Sequence, residues 1–225
     1  INEATIRLLN RHGVEVIVPK KIRCCGSLNH HLGKEDDAHQ DFINNINTWY
    51  EEHLKGNLDA ILSNTSGCGT TMKDYGFIFK DNEKMRKKAK VISDLTKDVS
   101  EYLNENLKLN FKSKEKKYKI AYHSACSMQH GQKVHNQPME LLTKTSNEIM
   151  EIPEGHICCG SAGTYNILQT EIAKELLSKK VKNIESLKPD FISTGNIGCI
   201  TQIANGTKTP ILHTIEILDW YTGGP

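Results

Sequence analysis

Apolar residues along this chain follow two periods. In Asp36–Leu54, Phe42, Ile46, Trp49 and Tyr50 recur at helical spacing, and in Thr170–Ser186 so do Ile172, Leu176, Leu177, Val181 and Ile184. That spacing puts one apolar stripe along a helix, so both segments are predicted as long amphipathic helices. Shorter helices are predicted over Asn2–Asn10, Val91–Leu103, Pro138–Thr145 and Ile215–Tyr221. Between them lie apolar runs too brief for helices: Val14–Val18, Ala60–Ser63, Tyr118–Tyr122, Ile149–Ile152 and Phe191–Ser193. These read as strands.

The predicted order is the same twice over. With Cys24 laid over Cys158, Pro19 and Pro153 each stand five residues before a Cys-Cys-Gly triplet. Ala4–Asn10 then matches Pro138–Thr145, and Val14–Val18 matches Ile149–Ile152. Downstream, Asp59–Cys68 lies over Asp190–Cys199, with Gly67 and Gly198 each preceding a lone cysteine. A duplication is the simplest cause of such a period. Strands alternating with helices imply parallel sheets. The expected class is therefore α/β, as two tandem Rossmann-like domains, each a small parallel sheet flanked by helices. The first domain is expected over residues 1–111 and the second over 118–225, with 106–117 as the linker.

Composition narrows the function classes. The chain has 225 residues and a net charge of +2, enough for real cores and close to electrically balanced. No basic block interleaves with aromatics, so nucleic acid is not an expected partner, and the basic run Lys112–Lys119 reads as a solvated linker. No apolar run reaches membrane-spanning length, and no signal peptide is visible. A cytoplasmic location is expected. Because the chain opens with Ile1 inside a helical pattern, a longer N-terminus is also expected.

The seven cysteines change the picture most. All but Cys126 fall into the two repeat copies: Cys24, Cys25 and Cys68, then Cys158, Cys159 and Cys199. Clustered thiols in a chain this large, without signs of export, point to metal or redox chemistry more than to disulfide staples. In open parallel sheets ligands sit beyond the carboxyl ends of the strands. Cys126 follows one predicted strand, the Cys158–Cys159 pair follows another, and Cys199 follows a third. Four thiols from three loops should therefore converge, and four thiolates are what a cubane iron–sulfur cluster takes. Adjacent cysteines point apart in extended chain, which suits a distorted, non-cubane cluster better than a simple cube. Zinc is the rival metal, although its usual Cys-x-x-Cys knuckle is absent. A redox disulfide and plain buried thiols are the other readings. Gly160 and Gly198 are expected to let backbone amides approach the sulfurs. The first copy has no counterpart of Cys126, whose expected place lies upstream of Ile1.

Other polar groups carry weaker signals. His123 closes a strand on the cysteine edge and is expected either to bind the metal or to support the residues that do. His30, His31, His130, His156 and His213, the last opening a helix, read as hydrogen-bonding surface residues. Gly163–Asn166 reads first as a glycine turn entering a helix, and only second as an anion cradle.

The words around the cysteines also match a known family. Cys24–Leu32, Thr65–Gly69, Lys73–Gly76, Gln129–Gln132, Cys158–Tyr165 and Gly195–Cys199 together resemble the cysteine-rich "CCG" domain family. That family includes heterodisulfide reductase B subunits, lactate-utilisation iron–sulfur proteins and, most similar here, glycolate oxidase iron–sulfur subunits. The resemblance implies a [4Fe-4S]-type cluster, non-cubane in some members, held by Cys126, Cys158, Cys159 and Cys199, with Cys24, Cys25 and Cys68 as a second, partial set of ligands. It implies an electron-transfer subunit, non-catalytic by itself, of a complex that oxidises glycolate or another 2-hydroxy acid. Flavin-containing glycolate oxidase subunits would be the partners, with a ferredoxin-like domain upstream and a membrane acceptor that could hold the complex at the inner face of the membrane. Heterodisulfide reductase relatives imply the alternative of thiol–disulfide redox catalysis. The chain departs from those relatives at their closing Cys-x-x-Cys, where Thr65 and Asn196 stand in place of one cysteine in each half.

Overall fold

The computed structural model describes residues 1–56 and 58–225. In the first half, α1 (Asn2–Arg11) leads through an irregular stretch to α2 (Ser27–His31) and the long α3 (Glu35–Leu54). Then come β1 (Ile61–Ser63), α4 (Ser66–Ile78), α5 (Arg86–Leu95), β2 (Thr96–Asp98) and α6 (Val99–Asn106). Residues 107–118 carry no helix or strand. The second half runs β3 (Lys119–His123), a π-helical turn (Ser127–Gln132), α7 (Gln137–Thr143), β4 (Glu148–Glu151), α8 (Tyr165–Leu168) and α9 (Thr170–Ser186). It closes with β5 (Phe191–Thr194), α10 (Ile197–Ala204), β6 (Ile211–His213) and α11 (Thr214–Tyr221).

All strands are parallel. One sheet pairs β1 with β2, and the other has the order β4-β3-β5-β6. With helices flanking both sheets, the fold is the α/β, Rossmann-like arrangement the pattern predicts. Helices α1, α3, α7, α9 and α11 lie where the sequence pattern puts them, although in α9 the buried face is Ala173, Lys180 and Ile184, and Ile172 of the predicted stripe is exposed. In α3 the buried stripe is Ala38, Phe42, Asn45, Ile46 and Trp49.

Three expectations fail. Val14–Val18 is not a strand. Its counterpart β4 is held only by β3, and among the described residues no strand lies beside 14–18. A strand sequence without a neighbour has no ladder to join. The single helix expected over Val91–Leu103 is two helices with β2 between them. Thr96, Lys97 and Asp98 pair with Ile61, Leu62 and Ser63, and a capping box then restarts the helix. Asp98 Oδ1 accepts from Ser100 N at 2.9 Å, while Asp98 N donates to Glu101 Oε2 at 3.0 Å. The same box recurs in the second half with His213 and Glu216, after β6. Finally, the lone cysteines are not in loops: Cys68 and Cys199 each occupy the third residue of a helix, α4 and α10.

The core has three parts. One lies within the first half around Phe42, Met72, Tyr75 and Ile92. Another lies within the second around Ala121, Met128, Ile184 and Ile192, and it includes Cys159 and Cys199. The third spans both halves: Leu8, Leu9 and Leu103 pack with Ile120, Leu142, Ile217 and Leu218. Each such side chain contributes roughly 1.5–3 kcal/mol by leaving water, so burial ties the halves together. At the edge of this joint core the buried Asp219 carboxylate accepts from Arg7 Nη2 at 2.7 Å and from Arg11 Nη1 at 2.9 Å.

Candidate metal centre

The four-stranded sheet reverses its winding between β3 and β5. From β3 the chain moves out to β4, then crosses over to β5 on the other side. The crevice beyond the carboxyl ends of β3 and β5 is therefore the switch point where parallel sheets bind ligands. Cys126 follows β3 and leads into the π-helical turn. Cys158 and Cys159 lie in the loop between β4 and α8, and Cys199 lies in the first turn of α10 after β5. His123 is the last residue of β3, paired with Thr194 of β5.

The four thiols meet there. Each is close enough to shift the proton affinity of the next: Cys126 acts on Cys158, Cys158 on Cys159, and Cys159 on Cys199. A ring nitrogen of His123 and the Sγ atoms of Cys159 and Cys199 all lie within 4.8 Å of one another. The vicinal thiols lie close enough to perturb one another. Residues 158 and 159 are not in a strand, so the alternation of strand side chains does not apply to them. Protons are shared unequally along the chain of sulfurs. Cys158 is held far below an ordinary thiol, first by Cys126 and then by Cys159. Cys199 is held down to about 6, first by Cys159 and then by His123 against the cost of burial. Cys126 and Cys159 are pushed up.

Backbone amides complete the cradle. Gly160 N donates to Cys158 Sγ at 3.3 Å, and the backbone at Ser161 and Ser127 lowers the proton affinity of Cys159 and Cys126 against their overall rise. Gly160 has φ +91, and a Cβ there would lie 2.5 Å from the Ala173 carbonyl oxygen. A Cβ on Gly198 would lie 2.9 Å from Ser161 Oγ, so this glycine lets α10 close onto the Cys-Cys-Gly loop.

The first copy repeats this in part. Cys25 lies close enough to Cys68 and Cys24 for each to shift its proton affinity, and the backbone at Gly26 and Ser27 lowers that of Cys24 and Cys25 as the backbone at Gly160 and Ser161 does in the second copy. Cys25 is raised, first by Cys68, and Cys68 is lowered, first by Cys25. Tyr75 Oη anchors the loop by donating to the Cys25 carbonyl at 2.9 Å. Cys24 itself is exposed. The structure brings these three thiols together apart from the other four.

Two features of the site escape a reading of the sequence. Lys180 is 1% exposed; its ammonium reaches the carbonyls of Glu154 and Gly155 at 3.3 and 3.5 Å and feels the charges of Cys159, Cys158 and Cys199. The available signal was a lysine on the buried stripe Ala173–Lys180–Ile184 of α9. The second feature is a seam between the two thiol sets. Ser66 Oγ and Ser127 Oγ are 2.7 Å apart, and Asn196 Nδ2 donates to them at 2.8 and 3.2 Å. Asn196 Oδ1 accepts from Gly198 N at 2.8 Å, capping α10. Asn196 therefore serves both the seam and the helix. No periodic pattern marks such a contact in advance.

The remaining histidines stay outside the crevice. His31, His130 and His156 are exposed, His30 Nδ1 lies 3.3 Å from Glu35 Oε2, and His213 caps α11. Gly163 turns into α8 with φ +66, and Asn166 Nδ2 donates to Gln202 Oε1 at 3.0 Å, as helix entry predicts.

Comparison with known proteins gives a consistent outline. The cysteine-rich domain family "CCG" matches residues 1–73 and again 120–204. The chain is 35% identical over 220 residues to the glycolate oxidase iron-sulfur subunit of Escherichia coli (strain K12), covering 97% of this chain and 53% of that protein. It is 29% identical to the probable glycolate oxidase iron-sulfur subunit of Bacillus subtilis (strain 168), covering 46% of it. Against lactate utilization protein A of Geobacillus sp. (strain WCH70) it is 26% identical and covers 91%. The chain thus spans about half the length of the glycolate oxidase relatives and most of the lactate-utilisation one.

Proposed function

The chain belongs to the cysteine-rich CCG domain family, and from that membership we propose that it is the cluster-holding, electron-transfer part of an iron–sulfur subunit. Its complex would oxidise glycolate or a related 2-hydroxy acid through flavin-containing subunits and pass electrons towards a membrane acceptor. The proposed domain limits are 1–111 and 118–225, joined by 106–117. The relatives' names support the iron–sulfur reading. Among the described residues no helix is long and apolar enough to cross a membrane.

The observation that carries the proposal is the convergence of Cys126, Cys158, Cys159 and Cys199 at the switch point. Four soft donors, drawn from the Cys-Cys-Gly loop and the starts of the π-helical turn and α10 into one half-buried crevice, suit a [4Fe-4S] cluster. When bound, such a cluster supplies one-electron redox chemistry. The chain's own groups do the rest. The four thiols hold it, with Cys158 and Cys199 already favouring the thiolate form. The N–H group of Gly160 and the backbone at Ser161 and Ser127 stabilise negative charge on sulfur. The buried Lys180 ammonium offsets part of that charge. Core residues such as Met128 and Ile192 keep water from the inner side. Cys24, Cys25 and Cys68 form a partial set for which we propose a weaker, secondary metal role.

The test is anaerobic reconstitution with iron and sulfide. The expected result is a brown protein carrying iron and acid-labile sulfide, with an EPR signal on reduction. Replacing Cys126, Cys158, Cys159 and Cys199 with Ser should abolish the signal, whereas Cys24→Ser should leave most of it. Colourless, iron-free protein, or uptake of zinc alone, would sink the reading.

A further inference from the structure

His123 stands apart from every other histidine in the chain. It is 2% exposed, yet neither Nδ1 nor Nε2 has a hydrogen-bond partner of normal geometry. An imidazole buried without partners costs on the order of 1–3 kcal/mol for each unmet polar atom, so buried polar groups in folded proteins are nearly always satisfied. Here the unmet nitrogens are not scattered among apolar side chains: one lies within 4.8 Å of both the Cys159 and Cys199 sulfurs. Those sulfurs belong to the sheet-edge crevice, and His123 enters it from the end of β3, whose backbone pairing with β4 and β5 fixes its direction.

Asn196, at the start of α10, offers the crevice no free donor, since its Oδ1 is committed to Gly198 N and its Nδ2 to the serine seam. Imidazole nitrogen is a good donor to iron, and clusters with two histidines in place of two cysteines are stable and sit at higher potential than all-thiolate ones.

We propose that His123 is a direct ligand of the metal centre, so that the centre is a mixed thiolate–imidazole site rather than an all-cysteine one. This rests on the iron–sulfur reading above. A neutral ring offers one nitrogen lone pair to iron and keeps its proton on the other nitrogen, so the site carries less negative charge than five thiolates would give it.

Pulsed EPR on the full chain, reconstituted anaerobically with iron and sulfide after growth on 15N-histidine, tests this. The expected result is a strong histidine-15N coupling in the reduced protein. The coupling disappears in His123→Cys, which keeps its iron and shifts to a lower reduction potential because a thiolate replaces a neutral donor. His30→Gln, at the surface, leaves the coupling unchanged. An iron-loaded, EPR-active protein without histidine coupling, or one whose coupling survives in His123→Cys, overturns the assignment and leaves the iron–sulfur reading standing. Protein that takes up no iron overturns both.

Discussion

Lys180 occupies a position where the α9 pattern calls for an apolar side chain, and burial lowers its pKa. Its ammonium is held only by carbonyl oxygens, so its retention in the core makes sense as a counter-charge to the thiolates. A unit charge acting over roughly 8–10 Å at an effective dielectric near 20 is worth about 2 kcal/mol. Lys180→Met should therefore lower the centre's reduction potential by about 50–100 mV while leaving iron content near that of the unaltered chain. Redox titration followed by EPR reads this directly, and an unchanged potential would assign Lys180 a packing role alone.

At the scale of elements, tight turns and caps decide how the repeat is realised. The Cys-Cys-Gly turn needs a residue free to adopt positive φ, and at Gly160 the Ala173 carbonyl occupies the space of a Cβ. Gly160→Ala should cost about 2–3 kcal/mol. Gly33→Ala, at φ +73 with nothing within 4 Å, should cost about 1 kcal/mol. Urea unfolding midpoints compare the two, and equal losses would contradict the close-approach argument. The paired capping boxes predict opposite pH responses. Burial raises Asp98 from 3.8 to about 6, against Ser100 and Lys73 which lower it and Glu101 which adds to the rise. A raised carboxyl favours the protonated fold, so its contribution is present below about pH 4 and lost as pH rises through 6. Burial lowers His213 from 6.5 to about 4, against Glu216 which raises it; the Ile1 amine adds to the fall. A depressed imidazole contributes stability above pH 6.5 that is lost as pH falls through 4. Each effect is on the order of 3 kcal/mol, and in the unaltered chain they largely cancel. With the thiols reduced and metal-free, Asp98→Asn should make stability climb from pH 4 to 6.5, and His213→Asn should make it fall. Variant-minus-parent differences that do not vary with pH would refute this pairing.

For the whole molecule, the decisive fact is that the halves share one core. Leu8, Leu9 and Leu103 pack with Ile217 and Leu218, the seam joins Ser66 to Ser127 and Asn196, and Asp219 draws in two arginines from α1. Removing both Arg7 and Arg11 would strand a carboxylate whose side chain is 2% exposed. The Arg7→Met, Arg11→Met double variant should lose about 3–5 kcal/mol, and Asp219→Asn in that background should recover part of the loss. Both proteins should still unfold in a single urea transition, since neither half keeps its full core alone. Two resolved transitions would mean that the halves are energetically independent.

Much of this architecture can be read along the chain. Helical periodicity locates α3 because the stripe that makes the period is the surface being buried; it locates α9 as a helix but misplaces its buried face, which is Ala173, Lys180 and Ile184. The duplicated Cys-Cys-Gly and Gly-Cys words locate both thiol sets because the repeat carries its turns and its glycines with it. Short elements are less legible: β2 and β6 are three residues each, and they exist because a neighbouring strand pairs with them. The same dependence removes the strand expected at Val14–Val18, which has the right residues and no partner. Side-chain identity also names Lys180, Ser127, Asn196 and His123 as polar residues, but their roles depend on which groups face them across the fold. In α3 periodicity reports the face turned to the core. Partnership across α4, α9, α10 and the end of β3 is settled only when the loops have closed.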